Sequence, residues 1–311
     1  MALFLQILVT GLAVGAVYGV VAISYALIFR LTGVVHFALG ELISLAVFAT
    51  LFLAAGTGPV TRTGVPNSRF LPALAGGLAV AVVSGYLLYV AAVAPFLRRG
   101  STLGWVGGTV AVAFAIRGFL AATFVRPSYV FPDPFRFDHL SNDGVIRLSG
   151  GASIQIRSFF VAGAGVVLAW AAAWFLDRTR RGEALRAIAD DRQAAELLGL
   201  PSERLLALAF ALAGGLAAGA AIVGVPSAPV SADTGALIGL KGLVAALIAR
   251  FGSPWRALAA GLAVGLIETG VSSFHVGPLR LGPAYRDIAP LAVAILALAL
   301  ARLRPDEAVT E

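Results

Sequence analysis

The chain has 311 residues, 59% of them hydrophobic and only 13% charged, with a mean hydropathy of +0.92; a water-soluble domain of this size needs far more polar surface. It contains no cysteine, which excludes disulfides and thiolate metal sites. The net charge of +7 rests on arginine and a single lysine, Lys241; in so apolar a chain this reads as basic loops beside anionic lipid, not as a nucleic-acid surface.

The first apolar run, Leu3 to Phe29, has no basic residue before it and is longer than the core of a secretory signal, so it is expected to be a membrane span. It is about 40 Å long as a helix, more than the ~30 Å hydrocarbon core, and must tilt or bend. Gly11, Gly15 and Gly19 recur every four residues and form a small-residue stripe for close helix packing. Further apolar runs are Val34 to Leu53, Phe70 to Phe96, Leu103 to Val125, Ile156 to Leu176, Leu205 to Val225, Ala236 to Phe251, Ala257 to Phe274 and Ile288 to Leu303. The expected fold is all-α: a polytopic transmembrane helical bundle of about nine spans (8–10), in one domain over residues 1–304 with a tail at 305–311.

Two polar segments interrupt the pattern. Residues 126–157 alternate in polarity around Asp143-Gly144, which predicts a small β-hairpin turning there. Residues 177–204 predict a charged amphipathic helix over Glu183 to Leu198, with Arg186–Asp190 and Arg192–Glu196 at i, i+4. Gly182 would turn the chain out of the preceding span. Gly199 and Pro201 would stop the helix, and Ser202 would cap the next span. Leu185, Ile188 and Ala189 share one face. With residues 177–204 in the cytoplasm, 13 basic residues fall on that side and 8 outside, which predicts the N-terminus out and the C-terminus in.

Charges inside apolar runs are costly and mark either structural pairs or a pathway. Glu41, Arg117, Lys241 and Glu268 are such charges. Lys241 and Glu268 lie at roughly matched depth, about 8 and 9 Å from the outer ends of adjacent antiparallel spans, and are expected to pair.

Three segments then resemble the family of ABC permeases for branched-chain amino acids. In the 177–204 loop, Gly182, Arg186, Ala187, Asp190, Asp191, Ala194, Leu198 and Gly199 follow the family pattern. Near the N-terminus Phe37, Ala38, Gly40 and Glu41 do so, with His36 where the family has Asn and Leu39 where it has His. The third segment runs over Gly239 to Ser253 and Gly261 to Thr269; it keeps Lys241 and Glu268 and replaces a double Gly by Ala249-Arg250.

The resemblance implies a permease subunit in a bacterial inner membrane. Its partners would be a second permease subunit, expected to be a different chain, two ATP-binding subunits, an extracytoplasmic solute-binding protein and membrane lipid. No cofactor, metal or nucleic acid is expected, and no enzymatic activity. The motor must be separate, because the chain's only lysine sits in an apolar run and no phosphate-binding loop is present. The family pattern at Gly182, Arg186, Ala187, Asp190, Asp191, Ala194, Leu198 and Gly199, with the face of Leu185 and Ile188, is expected to couple to the ATPase, and His36, Phe37, Gly40, Glu41, Lys241 and Glu268 are expected either to line the pathway or to be structural groups within the membrane. Related permeases for urea, short amides or other small polar solutes are the alternative. An ion-coupled secondary transporter, with Glu41 and Glu268 carrying protons, is the alternative of another class.

Overall fold

The computed structural model describes residues 2–56, 67–131, 144–147, 153–225, 229–273, 275–276, 279–280 and 292. Its helices are α1 (Ala2–Thr32), α2 (Leu39–Ala55), α3 (Asn67–Leu88), a π segment (Tyr89–Val93), α4 (Ala94–Leu97), α5 (Thr102–Thr123), α6 (Ile156–Arg178), α7 (Arg180–Asp190), α8 (Arg192–Leu197), α9 (Ser202–Gly224), α10 (Thr234–Ile248) and α11 (Pro254–Ser273). Short strands are β1 (Tyr129–Val130), β2 (Val145–Arg147), β3 (Ser153–Gln155), β4 (Pro229–Val230), β5 (His275–Val276) and β6 (Leu279–Arg280).

Among the described residues, five stretches are long and apolar enough to cross a membrane: α1, the continuous run Arg69–Leu97, α5, α6 and α9. The chain is a multi-pass helical membrane protein. The expected ninth run lies outside the described residues except for Ala292, which is helical.

α1 is the central pillar and touches α6, α9, α10 and α11. Every residue from Gly15 to Ile28 is buried, so this stretch is covered on all sides, which suits a helix with no polar face. The Gly11, Gly15 and Gly19 stripe meets α11. A Cβ on Gly15 would stand 2.7 Å from the Gly261 carbonyl oxygen and from Leu262 Cα, so only glycine lets the two backbones approach this closely. α11 is antiparallel to α1, because Gly11, Gly15 and Gly19 meet Leu266, Leu262 and Leu258 in reverse order.

α2 and α10 are shorter, 17 and 15 residues, or about 25 and 22 Å against a ~30 Å core. Their first turns pack on each other: a Cβ on Gly40 would meet Ala236 Cα at 2.9 Å. The Ser44 hydroxyl donates to the Ala232 carbonyl at 2.9 Å and accepts from the Gly235 amide at 3.0 Å. Thr234 and Ile238 line a cavity with Val14 and Val17, near the middle of α1, while Phe251 stacks on Phe29 near its end at 3.9 Å. α10 thus runs parallel to α1, and both short helices begin inside the bundle. The segment joining α1 to α2 folds back along α1, where Ala38 packs with Leu27, Ile28 and Leu31. Glu41 is therefore in the first turn of α2, although the expected run began at Val34.

The polar segment after α6 departs from expectation in several ways. The helix expected over Glu183 to Leu198 is two helices. Asp191 is extended, and its carboxylate accepts from the Ala194 amide at 3.0 Å, capping α8; an aspartate that satisfies an otherwise orphan amide outweighs helix continuation. The turn out of α6 is made by Thr179, not Gly182: its hydroxyl donates to Phe175 at 2.6 Å and accepts from the Gly182 amide at 3.0 Å. Gly182 lies inside α7, where a Cβ would collide with the Phe175 carbonyl. Arg186 pairs with Asp177 at 3.1 Å instead of Asp190, while Arg192 pairs with Glu196 at 2.9 Å as expected. Ser202 bonds Glu196 instead of capping α9. Ser202 and Arg192 together hold the Glu196 carboxyl below the usual range. Gly199, with φ +84°, ends α8 as a left-handed C-terminal stop.

β2 confirms the extended backbone expected over Val145–Arg147, and Gly144 has φ +66°. Its described partner is β3, with Ile146 opposite Ile154; residues 148–152 between them lie outside the described residues. The upstream side of the Asp143-Gly144 turn lies outside the described residues.

Candidate functional site: charges around two interrupted helices

Two groups of charge sit within the bundle. The first joins α10 to α11: Lys241 Nζ lies 3.0 Å from Glu268 Oε1. Their side chains are 9% and 0% exposed, and the ammonium stands 5.6 Å from the centre of the Tyr18 ring on α1, within cation–π range. The matched depth read from the sequence brings these two charges together. Their burial makes this a closed pair that ties α1, α10 and α11 to one another.

The second group gathers where α2 and α10 begin. Helix N-termini carry partial positive charge, and each of these starts with an acid: Asp233 immediately precedes α10, and Glu41 is in the first turn of α2. Arg117 of α5 forms an ion pair with Asp233, and both charges act on half-buried Glu41. The strands explain the meeting of α5 with α10. β1 follows α5, β4 precedes α10, and Tyr129 lies opposite Val230 in their antiparallel ladder.

Exposure separates the two groups. Arg117 and Asp233 keep 48% and 52% of their side-chain surface. Arg117 is six residues from the end of α5, about 9 Å along the helix. A half-exposed ion pair at that depth must face water or another protein, because facing lipid would cost several kcal/mol, roughly 3 per charge. Leu237 and Leu240, four and seven residues beyond Asp233, continue this open face along α10 and are each more than 40% exposed; Phe37, in the segment before α2, is 48% exposed. Gly40 is the contact point of α2 with α10, not part of that face. His36 is 1% exposed; its Nδ1 accepts from the Ala38 amide at 3.1 Å and its ring lies 5.3 Å from Phe210. Its position is that of a helix-entry brace. Asp233 escaped the sequence reading because it sits just outside an apolar run, and only the β1–β4 ladder brings it to Arg117.

On the expected coupling segment, Leu185 and Ile188 are 1% and 2% exposed and pack in a cluster with Leu27, Ile28 and Leu31 of α1 and Leu205 and Phe210 of α9. They hold α7 to its own bundle and so leave the set expected to face an ATPase. The outward face instead carries Ala187, Asp190, Asp191, Ala194, Leu197 and Leu198, with Leu197 at 89% and Leu198 at 83% exposure.

Comparison with known proteins supplies the context. The family described as "Branched-chain amino acid transport system / permease component" matches residues 7–298. The high-affinity branched-chain amino acid transport system permease protein BraD of Pseudomonas aeruginosa is 29% identical over 300 residues, covering 95% of this chain and 93% of BraD. The corresponding permease protein LivH of Escherichia coli K12 is 25% identical, with 95% of this chain and 92% of LivH covered. Among solved structures, a metal-chelate type ABC transporter in an inward-facing conformation aligns with a TM-score of 0.52 at 14% identity, over 95% of this chain and 85% of that one; this likeness is one of fold.

Proposed function

The chain belongs to the branched-chain amino acid transport system permease component family, and we propose that it forms the inner-membrane path for branched-chain amino acids in an ABC importer driven by separate ATPase subunits. It is a transport component and not an enzyme. The observation that carries the pathway reading is the half-exposed Arg117–Asp233 pair with Glu41, set where two interrupted helices begin. Interrupted helices with charged starts are a recurrent way of placing a polar site at mid-membrane. A zwitterionic amino acid has one charge for the carboxylates and one for the guanidinium. The open face of α2, α5 and α10 is where a second permease subunit would close the path. The full protein would have nine spans with the C-terminus in the cytoplasm, and an extracytoplasmic binding protein would deliver solute to the opposite side.

The test is uptake of labelled leucine, isoleucine and valine, with urea and acetamide as competitors, into proteoliposomes containing the whole complex and ATP. Competition by urea but not by leucine would reject the solute assignment. Uptake that persists without ATP under an ion gradient would reject the class. Arg117→Gln should lower leucine uptake by about ten-fold, the worth of one charge-assisted hydrogen bond. Flux within two-fold of the parent would remove Arg117 from the path.

Coupling is proposed for the outward face of α7 and α8, and the two faces give opposite expectations. Leu197→Asp with Leu198→Asp should leave the permease folded while weakening ATPase docking about thirty-fold, the scale of a lost interface anchor. Leu185→Asp should instead destabilise the permease itself. Pull-down of the ATPase and the melting temperature of the permease read the two effects; normal docking by the double variant would exclude this face.

A further inference from the structure

Two cavities adjoin at the face of the bundle that carries α7. The outer one, of about 220 Å³, has Arg30 at the end of α1, Asp177 at the end of α6, Arg186 on α7, and Ser253 and Trp255 at the start of α11 in its wall. The inner one, of about 200 Å³, is walled only by apolar side chains of α1, α6 and α9, among them Ala171, Phe175 and Leu216. Ile23, Leu27 and Leu176 line both. A polar mouth thus leads into an apolar slot.

The charge at the mouth has a sign. Arg186 is held by Asp177 at 3.1 Å, whereas Arg30 has no ion-pair partner among the described residues. The 20-residue helix α11 begins there and adds the partial positive charge of its first turn. Trp255, 48% exposed, stands at the same level, as aromatic residues do at a membrane–water boundary. From Arg30 to Ile23 is seven residues, so the slot reaches about 10 Å along α1 below the mouth.

We propose that this composite cavity binds an anionic phospholipid of the adjacent leaflet, with the phosphate at Arg30 and the start of α11 and one acyl chain in the slot between α1, α6 and α9. The polarity gradient selects this occupant. A free phosphate would use the mouth and leave the apolar slot unfilled; a side chain from a docked ATPase would likewise reach only the mouth.

The experiment uses the full chain, purified in detergent and stripped of lipid, with binding measured for phosphatidylglycerol and for phosphatidylcholine of the same acyl chains. Phosphatidylglycerol should bind about ten-fold more tightly, one charge-assisted contact. Arg30→Gln should erase that preference, and Arg30→Lys should restore it. Ala171→Phe, which narrows the slot, should weaken both lipids; if it fails to fold, the Arg30 pair still decides the matter. Equal binding of the two lipids, a preference unchanged in Arg30→Gln, or protection by inorganic phosphate equal to that by phosphatidylglycerol would each overturn the proposal. So would loss of the preference when the ATPase subunits are added, which would make them the occupant.

Discussion

Lys241→Met should destabilise the protein by about 3–5 kcal/mol, the usual cost of taking one partner from a buried ion pair. The variant removes the ammonium 3.0 Å from the Glu268 carboxylate, which is 0% exposed, and with it the cation lying 5.6 Å over Tyr18. Three helices lose their common tie at once. Lys241→Met with Glu268→Leu should recover most of the loss, because a buried pair replaced by apolar groups of similar volume is often close to neutral. Thermal unfolding of the two variants in detergent, beside the parent, reads the difference. A single variant as stable as the parent would show that the pair contributes nothing.

The second large effect comes from one methyl group. Gly15→Ala should cost about 1–3 kcal/mol, the range for overpacking a tight contact, because the added Cβ would stand 2.7 Å from backbone atoms of Gly261 and Leu262 that cannot rotate away. Gly163→Ala, the same chemical change on α6, places its Cβ where nothing lies within 4 Å. There it should be neutral or stabilise by up to about 1 kcal/mol, because alanine favours the helix. Melting temperatures that fall equally for both, or for neither, would deny that the α1–α11 contact depends on its glycines.

These two sites differ in how far they can be read from sequence. The four-residue spacing of Gly11, Gly15 and Gly19 announces a contact face, and α11 answers with Gly261 and Gly265. Lys241 and Glu268 could be paired because depth along adjacent antiparallel helices comes from counting residues. The Arg117–Asp233 pair could not, since it depends on a two-residue ladder joining segments about one hundred residues apart. The break at Asp191 had a local sign, an aspartate three residues before an amide it could cap, but the strong helix formers around it obscured that signal. The apolar face of Leu185 and Ile188 was legible as a face; its packing partner was not, because amphipathicity reports burial and not the identity of the neighbour. The late start of α2, at Leu39 and not Val34, was hidden for a similar reason: an apolar residue folded back along α1 looks no different in sequence from one inside a span.

The π segment between α3 and α4 bears on ancestry. Tyr89–Val93 closes one wide turn within an otherwise continuous helical run, and such a turn accommodates one residue more than the α-helical path beside it. It sets the rotational phase of the helical turns beyond it: Gly85 before it backs onto Phe210 of α9, while Ala92 within it meets Gly108 of α5. A relative without the wide turn should be one residue shorter between Phe70 and Arg98. In a gapless alignment through this run, every position on one side of Tyr89 would be matched to a residue rotated by about 100° around the helix, so the gap belongs within the turn.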